Sequence, residues 1–201
     1  YVSLAGRVDY AASVNANLFV SIHLNSGGGY GAEVYYPNSN YRSDIGSEGK
    51  TLAQSVQDEL IALGIYSRGI KIRNSQDSKY PDGSTQDYYA VIQRSKRAGF
   101  PGIIIEHAFI DNSNDFSAYL NPEEKLDRLG KADANGILKY IKTGKGEWKE
   151  DTNGWKYQYV LGGYAVDKWE KIDGFWYFFD KNGYRKTGFV ELGSVTYYFN
   201  D

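Results

Sequence analysis

The chain has 201 residues, of which 41% are hydrophobic and 24% charged, and a net charge of −2. That is enough apolar material for one domain of ordinary size and a small appendage, and it excludes both a disordered chain and the basic footprint of a nucleic-acid binder. There is no cysteine, which excludes disulfides and thiolate metal sites, and no apolar run approaches the length of a membrane span.

In chain order, Leu4, Val8, Ala11 and Ala12 recur at helical spacing and predict a helix over 2–15. Leu18-Phe19-Val20-Ser21-Ile22 reads as a largely buried strand ending at His23 and Asn25. The Gly27-Gly28-Gly29 loop leads to a second strand, Ala32 to Tyr36. Leu52, Val56, Leu60 and Leu63 share one face of a helix over 44–63 that Gly64 ends. Gly102-Ile103-Ile104-Ile105 is a buried strand running into Glu106. A last helix is expected from Pro122 to Ile141, with Glu123 and Glu124 beside the positive end of its dipole. Strands alternating with helices predict an α/β domain over 1–142, a sheet flanked by helices. No methionine occurs, and Tyr1-Val2-Ser3-Leu4 lacks the basic and apolar regions of a signal peptide. The sequence is therefore expected to be a fragment or processed product.

Beyond that domain the composition changes. All four Trp lie after position 147, and 16 of the 32 aromatic residues fall in 148–201. A linker is expected over 143–153, followed by aromatic repeats over 154–201. Tyr157, Tyr177 and Tyr197 fall 20 residues apart, as do Tyr159, Phe179 and Phe199. Such a period predicts a small β-hairpin solenoid, with Asp180-Lys181-Asn182-Gly183 as a turn.

Two segments carry candidate chemistry. A lone histidine at a strand end, His23, reads either as structural or as a metal ligand. Glu106 directly follows four apolar strand residues, where burying its charge is costly unless a cation, a metal or hydrogen-bond donors compensate. Both residues end apolar strands, and ligands of open α/β sheets bind at the carboxyl ends of strands.

The run from Leu4 through Gly6-Arg7 to Ser21-Ile22-His23-Leu24-Asn25 resembles zinc-dependent N-acetylmuramoyl-L-alanine amidases. So do Gly31-Ala32-Glu33-Val34-Tyr35-Tyr36, the Leu52-Ala53 helix, Arg68-Gly69-Ile70-Lys71, and Pro101 to Asn112 with Asp115 and Leu120 beyond it. The resemblance implies one zinc ion, His23 as a ligand and Glu106 as the catalytic carboxylate. Asn25 and Glu33 sit near the implied site and are candidates for positioning substrate, with Glu33 equally readable as a solvated strand residue. The family's Gly-His-Gly motif and the Glu that follows it are absent. By resemblance the chain begins at the family's second helix and lacks two zinc ligands. His107 lies beside Glu106 on the strand, so the two face opposite ways, and its expected role is structural. The implied reaction is cleavage of the MurNAc–L-alanine amide in peptidoglycan by a secreted, wall-associated protein of a Gram-positive bacterium. The repeats resemble choline-binding-type wall repeats, in which Trp169, Trp176 and Tyr184 are the candidate ligand rings. Their ligand is expected to be choline on a teichoic acid, bound by cation–π contact, or a glycan stacked on the rings. Phe189 and Thr196 stand where such repeats carry Trp. The rival reading is a non-catalytic wall-binding surface protein with a degenerate amidase domain.

Overall fold

β-Branched and aromatic runs build the sheet of the first unit, and rings build the second. The computed structural model describes residues 2–144, 146–159 and 163–200, with no side chains for 142–144. The chain divides into units at residues 1–140 and 141–201.

The first unit opens with α1 (Leu4–Ser13), capped by the Ser3 hydroxyl, which accepts from the Gly6 N–H at 3.1 Å. β1 (Phe19–Asn25), β2 (Ala32–Tyr35) and α2 (Ser43–Ala62) follow. Then come β3 (Ser67–Lys71), the polar hairpin β4 (Asn74–Lys79) and β5 (Thr85–Asp87), α3 (Ala90–Ala98) and β6 (Gly102–Phe109). The short α4 (Ser113–Asp115) runs into a π-helical turn, and α5 (Glu124–Gly144) begins two residues after Pro122. The main sheet has the order β1-β6-β2-β3. β1 and β6 are parallel, β2 runs against β6, and β3 is parallel to β2.

Alternation along the strands sends side chains to two faces. On one, Val8 of α1, Val91 and Ile92 of α3 and Phe100, which follows α3, pack with Ile104. On the other, α2 brings Leu52, Val56 and Leu60, all fully buried, and is tied to the sheet by Gln57, whose Nε2 donates to the Ala32 carbonyl at 3.0 Å and to Ser67 Oγ at 3.2 Å. At the β1 edge Ile22 remains 61% exposed. Among the described residues no helix is long and apolar enough to cross a membrane.

Among its described residues the second unit contains three hairpins: β7 (Gly146–Asp151) with β8 (Gly154–Tyr159), β9 (Lys168–Ile172) with β10 (Phe175–Phe179), and β11 (Gly188–Leu192) with β12 (Val195–Phe199). Each is its own two-stranded sheet, so the β-hairpin solenoid expected from the repeat period is seen only as separate hairpin sheets among the described residues. Rings connect the hairpins instead. Trp148 of β7 meets Tyr177 and Phe179 of β10 at 4.9 and 5.8 Å, and Trp169 of β9 meets Tyr197 and Phe199 of β12 at 4.9 and 5.3 Å. The same contact thus recurs one repeat later.

One sequence expectation shifts here. Residues 146–151, read as linker, form the first repeat strand, because Trp148 makes the contact that Trp169 makes 21 positions on. Of the rest of that linker, residues 143–144 complete α5 and Lys145 lies outside the described residues. The expected turn at Asp180–Gly183 is present, with Gly183 at positive φ and its N–H donating to the Asp180 carbonyl at 2.9 Å, and the β9–β10 hairpin has a turn of its own at Asp173-Gly174, both at positive φ.

Candidate active site

Strand register brings three polar residues of the sheet into one row. His23 of β1 stands opposite Glu106 of β6, and Glu106 stands opposite Glu33 of β2. Residues directly opposite on paired strands share a face, so all three belong to the same side of the sheet. The segment that ends at Glu106 is apolar because it crosses the core, whereas β1, expected to be largely buried, is an edge strand with no buried residue, and His23 sits on that open edge.

The three members differ in environment. His23 is exposed, with Nε2 2.7 Å from Ser21 Oγ. Glu106 is half-buried, and among the described residues its Oε2 has no hydrogen-bond partner and no solvent exposure. Burial, assisted by the negative charge of Glu33 and opposed by His107, holds its carboxyl above the usual carboxylate range. Such a carboxyl takes and gives up protons nearer neutrality than an ordinary one.

Glu33 has the opposite fate. It is buried, yet Oε1 accepts from Asn25 Nδ2 at 3.1 Å and from the Tyr35 hydroxyl at 3.0 Å. Its Oε2 accepts from Arg68 Nε at 2.6 Å and Lys71 Nζ at 2.5 Å. Burial alone would raise the Glu33 pKa, but donation from Lys71, Arg68 and Tyr35 outweighs it and the carboxyl lies below its ordinary value. Tyr35 is raised in turn, by burial first and then by the Glu33 charge. Asn25 and Glu33, the two candidates for positioning substrate, are therefore bonded to each other.

The loop between His23 and Glu33 is fixed by the segment after β6. Asp111 Oδ2 accepts from the Gly27 and Gly28 N–H groups at 2.7 and 3.0 Å. Asp115 Oδ2 accepts from Gly31 N–H at 2.8 Å and Phe109 N–H at 2.9 Å, and Asn112 Nδ2 donates to the Gly29 carbonyl at 3.0 Å. A Cβ on Gly29 would sit 2.4 Å from the Phe109 ring, which explains the glycine. His107 stands apart from the site row. Its Nε2 lies 2.8 Å from Asp133 of α5, and its Nδ1 lies 3.2 Å from the His23 carbonyl.

The sequence reading assigned no role to Arg68 or Lys71. Three positions apart, they would fall on opposite faces of a regular strand. The signal that places them together is Gly69, a glycine inside a strand, which marks a bulge.

In the second unit, the three candidate rings do not form one cage. Trp169 and Trp176 are 6.5 Å apart. Tyr184 is elsewhere, its hydroxyl donating to Asp151 Oδ2 at 3.0 Å and its ring covered by Lys156 Nζ at 4.1 Å. Trp176 lines a groove of about 380 Å³ with Phe175, Tyr198, Arg185 and Lys186.

The donor set does not fit a zinc ion by itself. Among the described residues no three His, Cys, Asp or Glu side chains gather as a metal site. His23 offers one imidazole, and Glu33 is already neutralised by two cations.

Comparison with known proteins agrees with the geometry. Residues 1–139 match the profile of the N-acetylmuramoyl-L-alanine amidase family. The chain is 34% identical over 146 residues to N-acetylmuramoyl-L-alanine amidase LytC of Bacillus subtilis, covering 71% of this chain and 25% of that one. It is 32% identical over 139 residues to the sporulation-specific N-acetylmuramoyl-L-alanine amidase of the same organism, covering 68% of this chain and 45% of the relative. The chain thus spans less than half the length of either. Among solved structures, N-acetylmuramoyl-L-alanine amidase AmiC2 of Nostoc punctiforme superposes with a TM-score of 0.53 at 30% identity, covering 71% of this chain and 67% of that one.

Proposed function

The chain belongs to the N-acetylmuramoyl-L-alanine amidase family, and from that premise we propose that its first unit serves hydrolysis of the amide joining N-acetylmuramic acid to L-alanine in peptidoglycan. The observation that carries this reading is Glu106, whose buried Oε2 lacks a hydrogen-bond partner among the described residues and which stands in register with an exposed histidine. In the proposed reaction water adds to the lactyl carbonyl and the C–N bond breaks. Glu106 accepts the water proton and passes it to the departing amine of L-alanine, leaving a lactyl carboxylate. A bound zinc would supply an acidified water and polarise the carbonyl. His23 is the residue here suited to hold it, but the described donor set is short of the usual three protein ligands, so no step is assigned to the metal.

The second unit is proposed to hold the protein on the wall of a Gram-positive bacterium after secretion, its hairpins stacked end to end through their rings. Trp169 and Trp176 are the rings available to a wall polymer. Tyr184 is less suited to a ligand cation because Lys156 already covers it. The short donor set also favours a second reading, a wall-binding protein whose amidase-like domain does not turn over.

The test is release of peptides from purified sacculi by the protein that carries this chain. Glu106→Gln is expected to lower the rate at least about 100-fold without changing circular dichroism. Near-normal release by that variant would remove the assignment, and no release by the unmodified protein would favour the second reading. The 201-residue chain alone is expected to show no stoichiometric zinc by elemental analysis.

A further inference from the structure

β3 contains a local irregularity with a chemical consequence. Ala32 pairs with Ser67 and Val34 with Ile70, so Arg68 and Gly69 together stand opposite the single residue Glu33. Gly69 adopts φ +79, the left-handed backbone such a bulge needs. The extra residue restores alternation three positions on, and Arg68 and Lys71 both reach Glu33 Oε2.

That arrangement holds more positive charge and more donors than Glu33 uses. Two cations face one carboxylate. Arg68 reaches Glu33 through Nε alone, and among the described residues neither of its Nη groups has a hydrogen-bond partner. Its guanidinium carbon lies over the Phe109 ring, 5.0 Å from the ring centre. The Arg68 and Lys71 side chains are 30% and 33% exposed, whereas Glu33 is 5% exposed. A buried anion therefore holds two half-open cations in place, at little further entropic cost to a ligand that meets them.

We propose that Arg68 and Lys71 form a preorganised carboxylate-recognition ledge, which binds the free carboxylate of the acidic residue following L-alanine in a peptidoglycan stem. The inference rests on the amidase reading above and deepens it by naming what orients the peptide. Glu106 and the ledge lie on the same face, with β2 between β6 and β3. Two inter-strand spacings separate β6 from β3 by about 10 Å. An extended peptide advances about 3.3–3.6 Å per residue, so a free carboxylate on the residue after L-alanine spans much of that distance from the scissile amide. The forked Nη groups match a carboxylate in two parallel bonds, and a carboxamide offers neither the charge nor a second acceptor oxygen.

The test needs neither zinc nor turnover. N-acetyl-L-alanyl-D-glutamate γ-methylamide, whose α-carboxylate is its only free carboxylate, and its α-carboxamide analogue are titrated into the 201-residue chain, following the Arg68 Nε–H resonance by NMR. The free acid is expected to bind about tenfold tighter and to move that resonance, with the preference shrinking as salt rises. Arg68→Lys keeps a cation for Glu33 and loses the fork; it is expected to fold and to reduce the preference to about threefold or less. Lys71→Gln, which leaves Arg68 on Glu33, is expected to weaken acid binding alone. Equal binding of acid and amide, or an unchanged preference in Arg68→Lys, would overturn the ledge and leave the amidase reading standing. Binding of neither peptide would overturn both.

Discussion

The two units bury different chemistry. The first has an aliphatic core between sheet and helices, and within it lie charged groups with dedicated partners. Lys96 is fully buried with Nζ 2.7 Å from the Asn38 carbonyl, 2.8 Å from Asn38 Oδ1 and 3.6 Å from Asp87; His107 is held by Asp133; Glu33 is held by Arg68 and Lys71. The second unit is built from two-stranded hairpins, each marginal alone, that bury Tyr157, Ala165, Ile172 and Phe179 against Trp148. Every buried polar or charged residue among those described belongs to the first unit. A layered core is deep enough to enclose a charge and all its partners, and so to shift a pKa or aim a side chain. A stack of hairpins keeps its polar groups at the surface and offers faces for binding.

The comparison is broken most severely at Lys96. Replacing it by Met removes the cation from Asp87 and leaves the Asn38 carbonyl without its donor. We expect a loss of about 3–5 kcal/mol, read by urea unfolding, since one partner of a buried pair is removed. Adding Asp87→Asn is expected to recover part of that loss, because the stranded charge disappears. A cost below about 1 kcal/mol for Lys96→Met would mean that the first unit tolerates unpaired buried charge, contrary to the contrast drawn here.

In the second unit the corresponding change is Phe179→Leu. Phe179 is fully buried and its ring centre lies 5.8 Å from that of Trp148. Losing the ring is expected to cost about 1–2 kcal/mol from reduced burial and lost aromatic contact. Differential scanning calorimetry should show the effect in the transition of the tail and leave the first unit's transition in place. Displacement of both transitions together would show that the two units do not unfold separately.

How much of this was legible in the sequence depended on how each element carries its signal. β1, β2, α2, β6 and α5 announce themselves because long apolar runs or helical periodicity define them. β4, Asn74–Lys79, contains no apolar residue at all, and β3 has one isoleucine among five residues. α3 is nine residues long and its inward face includes Lys96, whose burial no hydrophobic pattern reveals. In the site, His23 and Glu106 stand out as polar ends of apolar strands. Arg68 and Lys71 do not, because their common face depends on a bulge that spacing alone conceals. The repeats are visible as a period of 20, but their first strand is displaced by one position, with Trp148 standing 21 before Trp169, and so it was read as linker.

The smallest expected effect concerns Glu106 Oε2, the buried carboxylate oxygen that has no hydrogen-bond partner among the described residues. Glu106 is raised above its ordinary value chiefly by burial, then by the Glu33 charge. The folded state therefore holds its proton to higher pH than the unfolded state does. Stability from this group is fully present below the unfolded pKa and declines as pH rises from there through the folded pKa, after which the remaining loss is constant. Glu106→Gln removes the charge but keeps the shape and hydrogen-bonding capacity. At neutral pH it is expected to stabilise the chain by about 1 kcal/mol or less, and to flatten the fall in stability between about pH 4 and neutrality, a range that begins at the ordinary carboxyl value and extends upward with the direction of the shift. Thermal melts of both proteins across that range provide the measurement. If the glutamine variant were less stable at neutral pH, Oε2 would have a compensating partner and Glu106 would not be the strained proton carrier that the proposed amide hydrolysis requires. A stabilising substitution that abolishes peptide release would instead show the trade expected of a reactive group, where function is maintained against the preference of the fold.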